Sequence, residues 1–252
     1  MAYDLVVLGS GPGGYVAAIR GSQLGMKVAV VEKESLGGIC LNWGCIPTKS
    51  LLKTANVYEY MKHADEYGLS GKEFDKDFSK VISRSRGVAD KMSNGVQFLM
   101  KKNKIDVIMG YGKLKGKNKI EVEKEDGKKE TVEGKNIIIA TGARARELPN
   151  LPIDGKKIIE YRKAMSLEKQ PKKMVVVGSG AIGSEFSYFY QSMGTEVTLV
   201  EYMPRIVPVE DEEVRRFNYS SNNVHDIKFG FHIPSDNIFL VFDGAKLKES
   251  KE

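Results

Sequence analysis

Val6-Val7-Leu8-Gly9-Ser10-Gly11-Pro12-Gly13-Gly14 and Val175-Val176-Val177-Gly178-Ser179-Gly180-Ala181-Ile182-Gly183 are two copies of one pattern. Each opens on an apolar run rich in valine and continues with three glycines in the same spacing. Each ends on a second apolar run closed by an acid, Val28-Ala29-Val30-Val31-Glu32 and Val197-Thr198-Leu199-Val200-Glu201. The register is constant, because Gly9, Gly11, Gly14, Gly25 and Glu32 fall on Gly178, Gly180, Gly183, Gly194 and Glu201. A short apolar run bounded by glycine reads as a fully buried strand, and the stretch between the runs has the length of a helix. Strand, glycine turn, helix and second strand make a βαβ unit with parallel strands. The pattern predicts an α/β protein with two Rossmann-like units in tandem, at residues 3–32 and 174–201.

The spacing of the glycines has a physical reading. The first makes the tight turn, the second lets the backbone approach a pyrophosphate, and the third lets helix and strand pack closely. The pyrophosphate then meets unpaired N–H groups at the positive end of a helix. Glu32 and Glu201 stand where a carboxylate accepts a hydrogen bond from an adenosine ribose. At Glu201 a 2′-phosphate would be repelled, which favours NAD over NADP. One such fingerprint is a weak signal, but two in matching strand–turn–helix–strand–acid context are a strong one.

The chain has two cysteines. Both lie in Gly37-Gly38-Ile39-Cys40-Leu41-Asn42-Trp43-Gly44-Cys45-Ile46-Pro47-Thr48-Lys49, just beyond the first acid. Pro47 reads as the first turn of a helix, where its missing N–H costs nothing. Cys45 is then expected at or near a helix N-terminus, which favours a thiolate. A close pair with one activated sulfur suits reversible dithiol–disulfide chemistry. Two free buried thiols or an ordinary structural bridge are the plainer readings.

The segment Cys-Leu-Asn-Trp-Gly-Cys-Ile-Pro-Thr-Lys resembles the redox-active disulfide of the flavin-dependent pyridine nucleotide–disulfide oxidoreductases, and most of all their dihydrolipoamide dehydrogenase branch. Glutathione and mercuric reductases usually carry Val where Leu41 and Ile46 stand here, and Trp43 replaces a smaller residue. The resemblance implies FAD on the first fingerprint and NAD on the second. It implies Cys40 as the outer sulfur, which exchanges with a dithiol, and Cys45 as the inner one, beside the flavin. Lys49 resembles the lysine near the flavin ring, against the plain reading of a solvated surface lysine. Thr141 and Gly142, in Ala140-Thr141-Gly142-Ala143 after Ile137-Ile138-Ile139, resemble the turn closing the first flavin lobe. Gly112 matches a position that approaches FAD, against a glycine in a strand bend. The implied reaction passes two electrons from a dihydrolipoyl group to the disulfide, then to FAD, then to NAD. The implied partner is a 2-oxo acid dehydrogenase complex, and family members dimerise through a C-terminal domain. Another NAD(P)H-dependent disulfide reductase, or an inactive FAD- and NAD-binding fragment, are the alternatives.

The remaining features bound the organisation. The 252 residues allow two small domains, and 41 % hydrophobic content is that of a globular chain. No apolar run has membrane-span length, and no basic leader precedes the first strand. Two cysteines with none left over suggest a reducing cytoplasm. Net charge is +6, and much of the excess lies between Lys101 and Lys135. Alternation through Ile120, Val122 and Val132 with the hairpin signal Asp126-Gly127 predicts a lysine-rich β-meander there. Without interleaved aromatics it does not read as a nucleic-acid surface. Helices are expected at 13–24, 46–62, 75–101 and 160–168, and a separate strand at 136–140. The expected division is an FAD-binding domain at 1–148, an incomplete NAD-binding domain at 149–216, and an unmatched tail at 217–252. No metal site is expected. The resemblance stops at about Arg216, and Ile238-Phe239-Leu240-Val241 is read as a chance echo. The resemblance implies a His–Glu acid–base pair in the C-terminal domain, and neither His225 nor His232 sits in a His-plus-acid motif, so proton transfer is expected to suffer by about 100- to 10,000-fold. Flavin retention is expected to be weaker than in a full-length relative.

Overall fold

The computed structural model describes residues 2–71, 74–149, 151–203 and 206–213, and the backbone of Ile238–Val241. Two compact units emerge: residues 1–47 with 85–143, and residues 48–84 with 144–252.

The first unit is built on strands β1 (Tyr3–Leu8) and β2 (Val28–Glu32), joined by helix α1 (Pro12–Gln23). Helix α2 (Gly38–Trp43) follows, then α3 (Cys45–Lys62) and α4 (Phe78–Lys102), which both run from one unit into the other. Strands β3 (Asp106–Met109), β4 (Tyr111–Leu114), β5 (Lys119–Glu123) and β6 (Lys129–Ile139) complete the sheet in the order β3-β2-β1-β6-β5-β4. The first four are parallel, and β6, β5 and β4 pair antiparallel. Strand β6 belongs to both parts. Its first half faces β5, with Lys129 opposite Glu123, and its second half faces β1, with Leu8 opposite Ile139. The meander's last strand and the strand expected at 136–140 are therefore one continuous element. Gly134 and Asn136 lie within it without breaking it, and the absent side chain of Gly134 makes room for Val6.

Strand alternation explains the layering. On β1 and β2, Leu5, Val7, Val28 and Val30 face Ala18 of α1, Val96 and Met100 of α4, and Leu36 and Leu41. The alternate residues Val6, Leu8, Ala29 and Val31 face Ile120, Val122 and Val132 of the meander. With both faces covered, β2 is buried at every position, as a continuous apolar run requires.

The second unit has strands β7 (Ile158–Ile159), β8 (Lys173–Val177), β9 (Glu196–Val200) and β10 (Ile238–Val241), all parallel, in the order β7-β10-β8-β9. Helix α5 (Tyr161–Ala164) follows β7, and α6 (Ala181–Ser192) links β8 to β9. The segment read as a chance echo is thus a sheet strand, with Phe239 opposite Val175 and Ile158. The rest of residues 214–252, with His225 and His232, lies outside the described residues. Helix α5 is shorter than expected, and the Ser166 hydroxyl donates back to the Arg162 carbonyl just past its end.

Helix α4 begins three residues later than its pattern suggests, because the Asp77 carboxylate accepts the Lys80 N–H as an N-cap. Its buried positions are Phe78, Ile82, Ser85, Ala89, Val96 and Met100. Met92, apolar and in phase with them, is 44 % exposed. The buried face thus combines the small residues Ser85 and Ala89 with the larger Phe78, Ile82, Val96 and Met100.

Candidate functional site

Cys40, in α2, and Cys45, the first residue of α3, form a disulfide with Cα atoms 4.8 Å apart. The bend between the two helices falls at Gly44, where an added Cβ would lie 3.1 Å from the Ile39 carbonyl oxygen. Cys45 thus opens a helix, as the position of Pro47 predicts, and the free-thiol reading is set aside. Asn42 is buried and ties this hairpin down, donating to the carbonyls of Leu36 and Gly38. Trp43 carries the Arg86 guanidinium 4.0 Å over its ring. Burial pulls the Arg86 pKa down, and Asp90 partly offsets this.

The start of α2 leans on the first glycine turn. The Gly37 N–H donates to the Ser10 carbonyl, and Gly38 lies so close that a Cβ would stand 2.6 Å from Gly11 Cα. On its other side the turn meets Ala140 and Thr141. Gly9 has φ +98°, and a Cβ there would collide with the Ala140 carbonyl oxygen. A Cβ on Gly14 would strike the Gly9 carbonyl, which is the close helix–strand approach its spacing predicts. The glycine turn, the cysteine segment and Thr141-Gly142 therefore converge in one unit.

The middle glycines behave differently. Gly11 and Gly180 are the N-caps of α1 and α6, in ordinary extended conformation at φ −62° and −61°. An added Cβ at either would meet nothing within 4 Å, and no side chain caps either helix. The free space and the uncapped helix start suit a diphosphate approaching the backbone.

The two acids are held alike. Glu32 Oε2 accepts the Ser10 N–H at 2.9 Å and the Ser10 hydroxyl at 2.6 Å, while Oε1 accepts the Glu34 N–H at 2.8 Å. Glu201 Oε2 accepts the Ser179 N–H at 2.7 Å and the Ser179 hydroxyl at 2.6 Å, while Oε1 accepts the Met203 N–H at 2.8 Å. Burial pushes the Glu201 pKa up, but the hydrogen bonds from Met203 and Ser179 outweigh it and hold the carboxyl below its ordinary value. Ser10 and Ser179 were not singled out in the sequence, although their matching places in the repeat were a usable signal.

Lys49 lies one turn beyond Cys45 on α3 and pairs with Glu185 of α6 through an ion pair, its side chain 63 % exposed. Glu185 also escaped the sequence reading, since nothing in its local pattern marks it. Gly112 sits in β4, where a Cβ would press on Leu8, Val31 and Ile120, so core packing alone calls for glycine there. His63 is an exposed helix-end residue between Glu59 and Glu66. Among the described residues no helix is long and apolar enough to cross a membrane.

The pyridine nucleotide-disulphide oxidoreductase family model matches residues 3–233, beyond the Arg216 at which the motifs give out. The dihydrolipoyl dehydrogenase of Zymomonas mobilis is 55 % identical over 215 residues, covering 85 % of this chain and 46 % of the relative. That of Bacillus subtilis is 42 % identical over 260 residues, covering 99 % of this chain and 55 % of the relative. Among solved structures, LpdA from Mycobacterium tuberculosis superposes with a TM-score of 0.77 at 26 % identity, covering 86 % of this chain and 48 % of that one. The chain thus spans about half the length of the curated relatives it matches. The cofactors of this family are FAD and NAD, and the open middle glycines, uncapped helix starts and clamped acids fit both. The chain belongs to the pyridine nucleotide-disulphide oxidoreductase family.

Proposed function

We propose that this chain is the FAD- and NAD-binding part of a dihydrolipoyl dehydrogenase, with Cys40–Cys45 as its redox disulfide. The observation that carries the reading is the disulfide itself: it opens a helix and stands on the first glycine turn. A dihydrolipoyl thiolate attacks the Cys40 sulfur and releases Cys45 as a thiolate. The substrate's second thiol then closes the substrate disulfide and leaves both cysteines reduced. The helix start at Cys45 favours that thiolate as leaving group. FAD, when bound, supplies the two-electron relay from the dithiol to NAD. Gly9, Gly11, Gly14, Glu32, Thr141 and Gly142 would hold FAD, and the resemblance alone adds Gly112 and Lys49. Gly178, Gly180, Gly183 and Glu201 hold NAD. Relatives named dihydrolipoyl dehydrogenase support the dihydrolipoyl group, carried on a 2-oxo acid dehydrogenase complex, as substrate.

A second reading, a different NADH-dependent disulfide reductase, is favoured by the likeness to the flavoprotein disulfide reductase RclA of Escherichia coli, at TM-score 0.75 and 26 % identity. The test is the visible spectrum of the purified chain before and after anaerobic NADH. A flavin band that bleaches or gains long-wavelength absorbance supports the proposal, and absence of any flavin band after incubation with FAD refutes it. Dihydrolipoamide against other dithiols then separates the two readings.

A further inference from the structure

The Ser10–Glu32 and Ser179–Glu201 pairs repeat each other beyond anything the glycine spacing demands. In both copies the serine gives two donors, its N–H and its hydroxyl, to Oε2 of the acid. In both, Oε1 takes the N–H of the residue two beyond the acid. In both, the serine carbonyl is anchored by the loop that follows the acid, through Gly37 N–H at 3.1 Å and Val207 N–H at 3.0 Å. Ser10 and Ser179 are both 0 % exposed. Neither hydroxyl is therefore placed to touch a cofactor. Each acts through its acid.

An ionised carboxylate offers about four acceptor positions. These donors take three in each copy, and at Glu201 the Tyr202 N–H also contributes to holding the carboxylate. We propose that Ser10 and Ser179 are positioning residues for the two adenosine-ribose subsites, fixing the orientation in which the Glu32 and Glu201 carboxylates meet a ribose hydroxyl. This deepens the dinucleotide reading above and rests on it. Without the hydroxyl, Oε2 regains an open acceptor position and the carboxylate regains rotamer freedom, which binding must then remove. The acid is still present but is no longer set, so recognition of the ribose weakens while contacts to the diphosphate persist.

The test uses the full chain loaded with FAD, so that only the second site is open. ADP and 2′-deoxy-ADP are titrated against the parent, Ser179→Ala and Ser179→Thr. The parent is expected to prefer ADP. Ser179→Ala is expected to bind ADP about tenfold more weakly, the lower end of what a hydrogen bond to a charged group is worth. Its binding of 2′-deoxy-ADP should stay as in the parent, and Ser179→Thr, which keeps a hydroxyl, should restore the preference. A lowered melting temperature with the parent's preference intact makes Ser179 a merely structural residue and overturns the proposal. If the parent binds neither ADP nor NADH, the dinucleotide reading itself falls and takes the proposal with it. Should Ser179→Ala fail to fold, Ser10→Ala carries the contrast at the first site. Reduced flavin retention through gel filtration supports the proposal, and parent-like retention overturns it.

Discussion

Replacing Gly38 by alanine tests whether the disulfide segment is truly seated on the first glycine turn. Gly38 has φ +60°, and the added Cβ would stand 2.6 Å from Gly11 Cα and 3.0 Å from Gly11 N. Both neighbours are backbone and cannot rotate away. Ordinary carbon–carbon contact is about 3.5 Å, so α2 or the turn must shift on the order of 1 Å. Overpacking of this kind costs about 1–3 kcal/mol, and the left-handed conformation adds roughly 1–2 kcal/mol for a residue with a Cβ. The expected loss is about 2–5 kcal/mol by denaturant unfolding. The shift also moves the start of the helix holding Cys40, and a misplacement of about 1 Å can lower the rate of the chemistry about 100-fold. Gly25→Ala is the control. Gly25 shares the left-handed conformation at φ +85°, but a Cβ there meets nothing within 4 Å. It should therefore cost only the roughly 1–2 kcal/mol of conformation and leave flavin content unchanged. Flavin-to-protein absorbance and the rate of disulfide reduction by dihydrolipoamide are the assays. Equal stability and flavin content in the two variants would refute the seating argument.

Gly11→Ala and Gly180→Ala should fold with stability equal to the parent or higher by about 0.4–1 kcal/mol. They should nevertheless lose FAD and NADH binding respectively, read by absorbance and by quenching of NADH fluorescence. Tyr190→Phe removes the donor to the buried Ala164 carbonyl at 2.6 Å and should cost about 1–3 kcal/mol in a urea melt. Glu201, whose folded pKa lies below its ordinary value, stabilises the fold above the unfolded carboxyl pKa of about 4.3. That contribution drops away as pH falls through the folded pKa, so Glu201→Gln should flatten the acid limb of a stability–pH curve. Lys49→Met breaks an exposed ion pair with Glu185 and should change stability by about 0–1 kcal/mol. A change in the visible spectrum of the bound flavin is the sign that Lys49 lies near the ring, and an unchanged spectrum counts against that role.

What the sequence made legible was whatever depends on spacing. The repeat from Val6 to Glu32 and from Val175 to Glu201 fixed strand, turn, helix and acid in each unit, and Pro47 placed Cys45 at a helix start. What escaped depends on partners far along the chain. Strand β6 reads as two pieces, because pairing changes hands from β5 to β1 at Gly134 and alternation does not register the change. Met92 is apolar and in phase with the core stripe yet 44 % exposed, while the polar Ser85 is buried along with Phe78, Ile82, Ala89, Val96 and Met100. Ile238–Val241 lacked any local motif, and it is identified as a strand only by pairing with β8 and β7. Glu185 meets Lys49 across 136 positions of sequence, a separation that no local pattern reports.

The glycines divide into two kinds, and the division bears on function more than the motif does. At Gly9, Gly14 and Gly38 the protein itself excludes a side chain, because backbone atoms fill the place where Cβ would stand. Packing alone already requires glycine at these three positions. At Gly11 and Gly180 the fold makes no such demand: the backbone is in a conformation open to any residue, and the space is empty to 4 Å. Alanine there would lower the entropy of the unfolded chain and stabilise the protein. Stability therefore gives no reason for glycine at either position. Gly13, Gly87 and Gly95 have the same room, but Gly11 and Gly180 also stand at uncapped helix starts, where an occupant from outside the chain can come close to the backbone. The same unexplained vacancy recurs in two units, each beside an acid held by an identical serine clamp. Two independent sites with the same surplus of room and the same preset acceptor are the physical case for two dinucleotides rather than one.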